Sequence, residues 1–390
     1  MFSTRFIAGA FAAISLFFSA RSGAVIIYGD NPDPAANRVA PGSVFPHDGW
    51  DYEGQFGGFL GTPIAPQFFI SAKHIGGGTG SVLVFNGASY TAVRSFPDPA
   101  SDLQILKVDG TFPYFAPLYS KTDEVSQRVV VLGRGTERGG TIYYNNDPAQ
   151  FRGWGYGSGL SIQRWGENVV AGAFANGQEW DLLAAGFDGN GLPSECQLSG
   201  GDSGGGTFIN DGGDWKLAGI NYAVDGNFYI TDPATAFGAA LIDVRGYHLN
   251  GGGDVPLTNP TPVPSSFYPT RISTKLSWIY SVTDPTGDLD GDGLPNLLEY
   301  GLHSDAMTPS ANEIPKVGRA GSALTLTYRK VTTASDITYT VEKSSDLISW
   351  INAGAVEQIL GTSANVQTVQ ASVDATGTTK LFLRLRITRP

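Results

Sequence analysis

Between about residue 55 and residue 245 the chain sustains no helical period; short apolar runs recur instead between clusters of Gly, Asn and Asp. Ser81–Phe85 (SVLVF), Arg128–Leu132 (RVVVL) and Gly140–Tyr144 (GTIYY) are examples. Closely spaced strands of this length bury their apolar faces against one another, which restricts the architecture to a sandwich or a barrel. Fifty-two glycines supply the many turns such a fold needs, and only 16% of residues are charged. The 390 residues provide for two or three domains, the first with a sizeable core.

The ends of the chain read differently. Arg5, the apolar run Phe6–Phe18 and the small residues Ser22-Gly23-Ala24 predict a secretory signal peptide over 1–24, cleaved after Ala24. The apolar run is too short for a membrane span, and no later segment is long and apolar enough to be one. The expected location is therefore outside the cell, in the periplasm or at the cell surface. A formal charge of −11 lacks the basic footprint that nucleic acid or an anionic membrane surface requires. The single cysteine, Cys196, excludes an intramolecular disulfide and reads as a small buried apolar side chain rather than a reactive thiol. A unit over 25–250, ending with the element Ala239–Tyr247, is expected to give way to a Gly/Pro/Thr/Asn-rich linker over 251–275.

Three short motifs inside that unit carry chemistry. Leu198–Gly206 (LSGGDSGGG) sets Ser203 among glycines, after Asp202 and before a predicted strand. A serine hydroxyl is a weak nucleophile and needs a base and a site for an oxyanion. Glycines allow a substrate carbonyl to approach the amides of Gly201 and Ser203 closely. A surface Gly-rich turn would look much the same, so the upstream residues decide. Phe68–His74 (FFISAKH) is an apolar strand ending in a histidine, the side chain best matched to proton transfer near neutrality. The other histidines, His47, His248 and His303, lie in less suggestive surroundings. Ser101–Val108 (SDLQILKV) opens a buried strand with Asp102, a carboxylate able to orient an imidazole; Asp98, four residues earlier, is the rival.

The order His, Asp, Ser and the motifs Ser71–His74, Asp102–Lys107 and Gly201–Gly205 resemble those of the trypsin-like, chymotrypsin-fold serine proteases of secreted bacterial type. Trp215–Ile220 is similar to the strand that follows the nucleophile in that family. The resemblance implies an all-β, two-barrel fold. It implies that Ser203 attacks a peptide carbonyl, that His74 moves the proton, that Asp102 orients His74, and that Gly201 and Ser203 form the oxyanion hole. It also places Gln197, six residues before the nucleophile, at the base of the substrate pocket, with Tyr222, Ala223 and Val224 along its wall. A neutral residue there argues against Arg/Lys specificity. In the family, the residue at the position of Asp202 pairs with a freed N-terminal amine. Val25–Gly29 (VIIYG) resembles that start faintly, lacking its second glycine, and local amides are the alternative partners of Asp202.

A second motif lies beyond the linker. Asp288–Glu299 (DLDGDGLPNLLE) satisfies an EF-hand calcium loop at every required position. The carboxylates of Asp288, Asp290 and Asp292, the Leu294 carbonyl, Asn296 and Glu299 supply the oxygens that Ca²⁺ prefers, with Gly293 turning the loop. With no amphipathic helix apparent before it, the segment 276–310 resembles the single calcium loops of dockerins and thrombospondin type 3 repeats, with a structural rather than catalytic ion. Residues 318–390 then alternate with period two, as in Ala323–Tyr328, Thr338–Glu342 and Leu381–Arg386, which predicts a small β-sandwich. This region resembles C-terminal modules of secreted bacterial proteins, whose partner would be a cell-surface or polymer ligand.

Three function classes follow: a secreted serine endopeptidase acting on polypeptide, a catalytically silent adhesin on a protease fold, and a serine esterase. The motif order and the lack of a Gly-x-Ser-x-Gly elbow between alternating helices weigh against the esterase. No triad residue is missing, which weighs against the adhesin.

Overall fold

The computed structural model describes residues 25–28, 36–41, 48–158, 162–175, 181–249, 253–310 and 313–390. The expected signal peptide and His47 lie outside them. The chain divides into two compact units. One is built from residues up to Ser95, Asp102–Ala175 and Asp181–Ser273; the other comprises Thr274–Pro390 with Phe96–Ser101.

The first unit is all-β, as expected. Strands β1 (Gly54–Phe56), β2 (Phe59–Ala65), β3 (Phe68–Ala72), β4 (Val82–Phe85), β5 (Ala88–Pro97) and β6 (Leu103–Val108) close into a barrel in the order β1-β2-β3-β6-β5-β4. Closure removes the unpaired edges that so many short strands would otherwise expose. Phe56, Phe69, Leu83, Phe85, Leu106 and Phe112 fill its interior.

A second sheet of seven strands follows. Its members are β7 (Arg128–Gly133), β8 (Arg164–Val169), β9 (Gly172–Ala175), β10 (Asp181–Gly186), β11 (Gly206–Asp211), β12 (Asp214–Val224) and β13 (Ser266–Arg271). They run in the order β8-β7-β11-β12-β13-β10-β9. Set aside β9, the hairpin partner of β10, and number the other six in chain order; their sequence is then 2-1-4-5-6-3. This is the cyclic order of the first barrel, opened between its second and third strands. The two halves thus repeat one topology, a closed barrel and a half-barrel, which is the two-barrel architecture. The second core gathers Val129, Val131, Leu183, Ile209, Ala218 and Phe267, together with Val25, Ile27 and Cys196.

The expected linker 251–275 needs correction. Its residues 266–271 are β13, hydrogen-bonded between β12 and β10, so the unit closes at Ser273 rather than at residue 250. Pro269 in the middle of β13 disguises the strand, because proline donates no ladder hydrogen bond. It faces Asn221, beside an irregularity in the β12 register where the missing donor is tolerated.

The second unit opens with helix α1 (Leu276–Thr283), then the acidic loop, then helix α2 (Asn296–Leu302). A helix, α1, does precede the loop, though without the polar face that would mark it in sequence. It buries Leu276, Trp278, Ile279, Ser281 and Val282, a pattern too short and too apolar for one. A four-stranded sheet, β14 (Lys316–Ala320), β15 (Ala323–Val331), β18 (Val356–Ser363) and β19 (Val366–Asp374), runs β14-β15-β19-β18. A three-stranded sheet of β16 (Thr338–Ser344), β17 (Ile351–Asn352) and β20 (Phe382–Thr388) runs β17-β16-β20. Leu326, Tyr328, Val341, Val369 and Val373 from the two sheets share one core with Leu302 of α2.

Among the described residues, no helix is long and apolar enough to cross a membrane.

Candidate active site

Strand pairing brings the first two motifs together. β3 and β6 are antiparallel neighbours with Ala72 opposite Leu103, so the residues just beyond these positions meet at one rim of the barrel. His74 sits in the single turn Lys73–Ile75 that follows β3, and Asp102 lies directly before β6. The Gln104 side-chain amide fixes this turn by donating to the carbonyls of Ala72 (3.0 Å) and Gly76 (2.7 Å). Ser203 arrives from the second half, on the turn that feeds β11.

The three side chains form one continuous relay. His74 Nδ1 lies 2.5 Å from Asp102 Oδ2, and His74 Nε2 lies 2.8 Å from Ser203 Oγ. The other oxygen of Asp102 accepts the backbone N–H of His74 at 3.0 Å, so one carboxylate holds both the ring and its peptide. Asp102 is buried and His74 half-buried. The Tyr222 ring stands edge-on to the imidazole, centroids 5.7 Å apart. Asp98 does not compete: it accepts from the Ala100 amide (3.1 Å) and the Ser101 hydroxyl, in its own turn.

The glycines around Ser203 serve the close passage of backbone. Gly201 has φ +101°, and the Gly201 and Ser203 amides donate no hydrogen bond among the described residues. A side chain on Gly205 would run into the Leu132 carbonyl, and one on Gly204 into the Ser71 hydroxyl.

Asp202 turns inward. It is almost fully buried, accepting from the Gly135 amide (2.7 Å) and from the Ser199 amide (2.8 Å) and hydroxyl (3.0 Å). The Val25 amide also donates to it. Burial pushes its carboxyl up to about 7, against the opposing pull of these bonds and of the Arg164 guanidinium. Val25 itself is buried, and the strand it starts pairs Ile26 with Gln197. Local amides and the backbone amide of Val25 therefore meet at Asp202.

The residues expected to line a substrate pocket divide. Tyr222, Ala223 and Val224 are half-buried on β12. Gln197 is wholly buried: its amide nitrogen donates to Ser265 Oγ (2.9 Å) and its oxygen accepts from the Leu198 amide (2.9 Å). Cys196 is buried too, and burial holds its thiol well above the ordinary range.

Sequence reasoning missed Asn221. From β12 its amide nitrogen donates to the carbonyls of Leu132 (2.7 Å) and Asp202 (3.1 Å), and its oxygen accepts from Thr207 Oγ1 (3.0 Å). Its backbone N–H donates to Gly205 O (2.9 Å) and its carbonyl accepts from Gly204 N (3.0 Å). One buried residue therefore brackets the serine on both sides. Asn221→Ala removes three buried side-chain hydrogen bonds, and a loss of about 1–3 kcal/mol in stability is expected, read from urea unfolding. The only sequence signal is a polar residue inside an apolar strand, Gly219-Ile220-Asn221.

In the second unit, oxygens of Asp288, Asp290 and Asp292 lie within 4.8 Å of one another. The buried Glu299 carboxyl is raised to about 7 by burial and by Asp290, Asp292 and Asp288. Glu299 Oε2 and Asp290 Oδ2 are buried without a hydrogen-bond partner among the described residues. The Asn296 side chain braces the loop: its nitrogen donates to Asp284 O (2.9 Å) and its oxygen accepts from Leu289 N (3.4 Å). Leu294 donates its N–H to Asp292 Oδ1 at 2.8 Å.

No family model and no curated protein matches this chain. Among the solved structures that match is the secreted serine protease VesC from Vibrio cholerae, at 10% identity and a TM-score of 0.34. The match covers 85% of this chain and spans 62% of that one.

Proposed function

We propose that this chain is a secreted serine endopeptidase whose nucleophile is Ser203. The observation that carries the reading is the relay Asp102–His74–Ser203, with both imidazole nitrogens in hydrogen-bond contact. Asp102 accepts from Nδ1–H, which leaves Nε2 as the acceptor for the serine proton. As Ser203 Oγ bonds to the substrate carbonyl carbon, that proton moves to His74, and the imidazolium is stabilised by Asp102. The C–N bond then breaks as His74 returns the proton to the leaving amine, and water repeats the sequence to release the acyl group. The unengaged amides of Gly201 and Ser203 serve the developing oxyanion. A two-barrel fold and a site between its halves suit an extended polypeptide. The buried, neutral Gln197 offers no charge for an arginine or lysine side chain, in keeping with a preference for small or apolar residues.

The test is fluorophosphonate labelling of the purified secreted protein, with casein cleavage followed in parallel. Labelling together with cleavage is expected. Labelling without cleavage turns the reading to an esterase, and no labelling of folded protein turns it to an adhesin.

The acidic loop of the second unit is a structural Ca²⁺ site in this reading. Asp288, Asp290, Asp292 and Glu299 would hold the ion, and the unpartnered buried oxygens of Glu299 and Asp290 fit that role. The ion supplies charge neutralisation and a closed loop between α1 and α2. Adding Ca²⁺ at a hundred times its Kd to chelator-stripped protein should stabilise the second unit by about 2.7 kcal/mol. Scanning calorimetry reads this, while peptide hydrolysis should change less than about twofold. Hydrolysis lost on chelation and restored by Ca²⁺ would overturn the separation of the two sites.

A further inference from the structure

One buried acid in the first unit has no part in the relay. Glu53 directly precedes β1, and burial leaves it 8% exposed. Its Oε1 accepts from Thr62 Oγ1 on β2 at 3.0 Å and from the backbone N–H of Gly206 at 2.9 Å. Gly206 is the first residue of β11, three after Ser203. The fit is close, since a Cβ on Gly206 would stand 2.5 Å from Glu53 Oε1. The adjoining Tyr52 ring stacks on Phe208 of the same strand, centroids 6.2 Å apart. Glu53 Oε2 is buried with no hydrogen-bond partner among the described residues.

These contacts define what the group can be. A buried carboxylate with one empty oxygen and no cation is costly, whereas a neutral carboxyl keeps the bonds to Gly206 and Thr62 at much lower cost. We propose that Glu53 is a positioning residue: as a neutral acid it latches the Ser203 strand to the first barrel, and its ionisation releases the strand and ends activity at alkaline pH. The inference rests on the reading of Ser203 as nucleophile.

The environment agrees in sign. Burial raises the Glu53 carboxyl from 4.5 to about 8, against the opposing pull of the bonds to Thr62 and Gly206. The groups facing it are the Thr62 hydroxyl from β2 and the Gly206 amide from β11; no charged side chain contributes to the shift. An acid with a raised folded value costs the fold stability progressively as pH climbs from the ordinary value of 4.5 to about 8. Above about 8 the carboxylate itself predominates in the folded protein. Hydrating it then requires the Gly206 strand to move, and with it Ser203.

The experiment compares the full secreted protein with Glu53→Gln and Glu53→Ala, measuring kcat and KM for a peptide substrate against pH. In parallel, infrared difference spectra of Ser203→Ala follow the protonated carboxyl band of Glu53, assigned by its loss in the Ser203→Ala, Glu53→Gln double variant. Wild-type kcat should fall reversibly, about tenfold per pH unit above about 8, with KM little changed. Glu53→Gln, neutral at every pH, should keep its neutral-pH kcat across that range. Glu53→Ala should be slow throughout, and if it fails to fold, the glutamine variant decides alone. An alkaline fall that persists in Glu53→Gln, or a carboxyl band that vanishes near the ordinary glutamate value, overturns the proposal. A band that titrates as expected in a protein that neither labels nor hydrolyses at any pH refutes the nucleophile reading and leaves the latch with no activity to control, which overturns it as well.

Discussion

Ser203→Ala should lower kcat/KM for a peptide substrate by about 10⁵–10⁶, close to 8 kcal/mol of transition-state stabilisation at the upper end. The size follows from what the hydroxyl does. In the proposed mechanism it is the atom that forms the acyl bond, and neither His74 nor Asp102 can replace it. What survives should be the contribution of substrate binding and of the Gly201 and Ser203 amides, so KM should change little. Folding should be nearly untouched, because the substitution removes a single hydrogen bond, Nε2 to Oγ at 2.8 Å. Single-turnover kinetics with an activated ester, beside a thermal melt, separates the two effects. A variant that retains even a hundredth of wild-type peptide hydrolysis would move the nucleophile elsewhere.

Asp102→Asn is the second large effect, a fall of about 10⁴ in kcat with the geometry intact. The asparagine oxygen can still accept the His74 backbone N–H, as Oδ1 does now at 3.0 Å. Its amide nitrogen, however, must donate toward Nδ1, where the carboxylate accepts at 2.5 Å. The imidazole proton is then driven to Nε2, facing Ser203, and the ring can no longer take the serine proton. Proton NMR of the imidazole should show the tautomer reversed. Activity lost with the original tautomer retained would mean that Asp102 acts through folding rather than through His74.

The relay was legible because each of its members stands at the end of an apolar run. A strand ending in His74, a strand beginning at Asp102 and a glycine turn before β11 are patterns local enough to read, and strand pairing does the rest. The parts that were not legible are those in which one side chain serves distant backbone. Asn221 bonds to Leu132 and Asp202, and Glu53 to Gly206, 153 positions away. In sequence they are one asparagine in an apolar strand and one acid after an aromatic. Gln197 is a similar case: its position relative to the serine is legible in sequence, but its bond to Ser265, 68 residues away, is not. The end of the first unit was hidden for another reason: β13 carries Pro269 and follows a glycine- and proline-rich stretch, so composition spoke for a linker where the register required a strand.

That strand sets the order in which the molecule can be completed. β13 separates β12 from β10, so until residues 266–271 arrive the half that bears Ser203 has two open edges and a core that lacks Phe267. Exported N-terminus first, as the expected signal peptide implies, the chain would deliver His74, Asp102 and Ser203 before β13, while the sheet that carries the serine is still unfinished. On the proposed reading, the sheet that holds Ser203 is complete only when more than two-thirds of the 390 residues have emerged, and hydrolysis would begin no earlier.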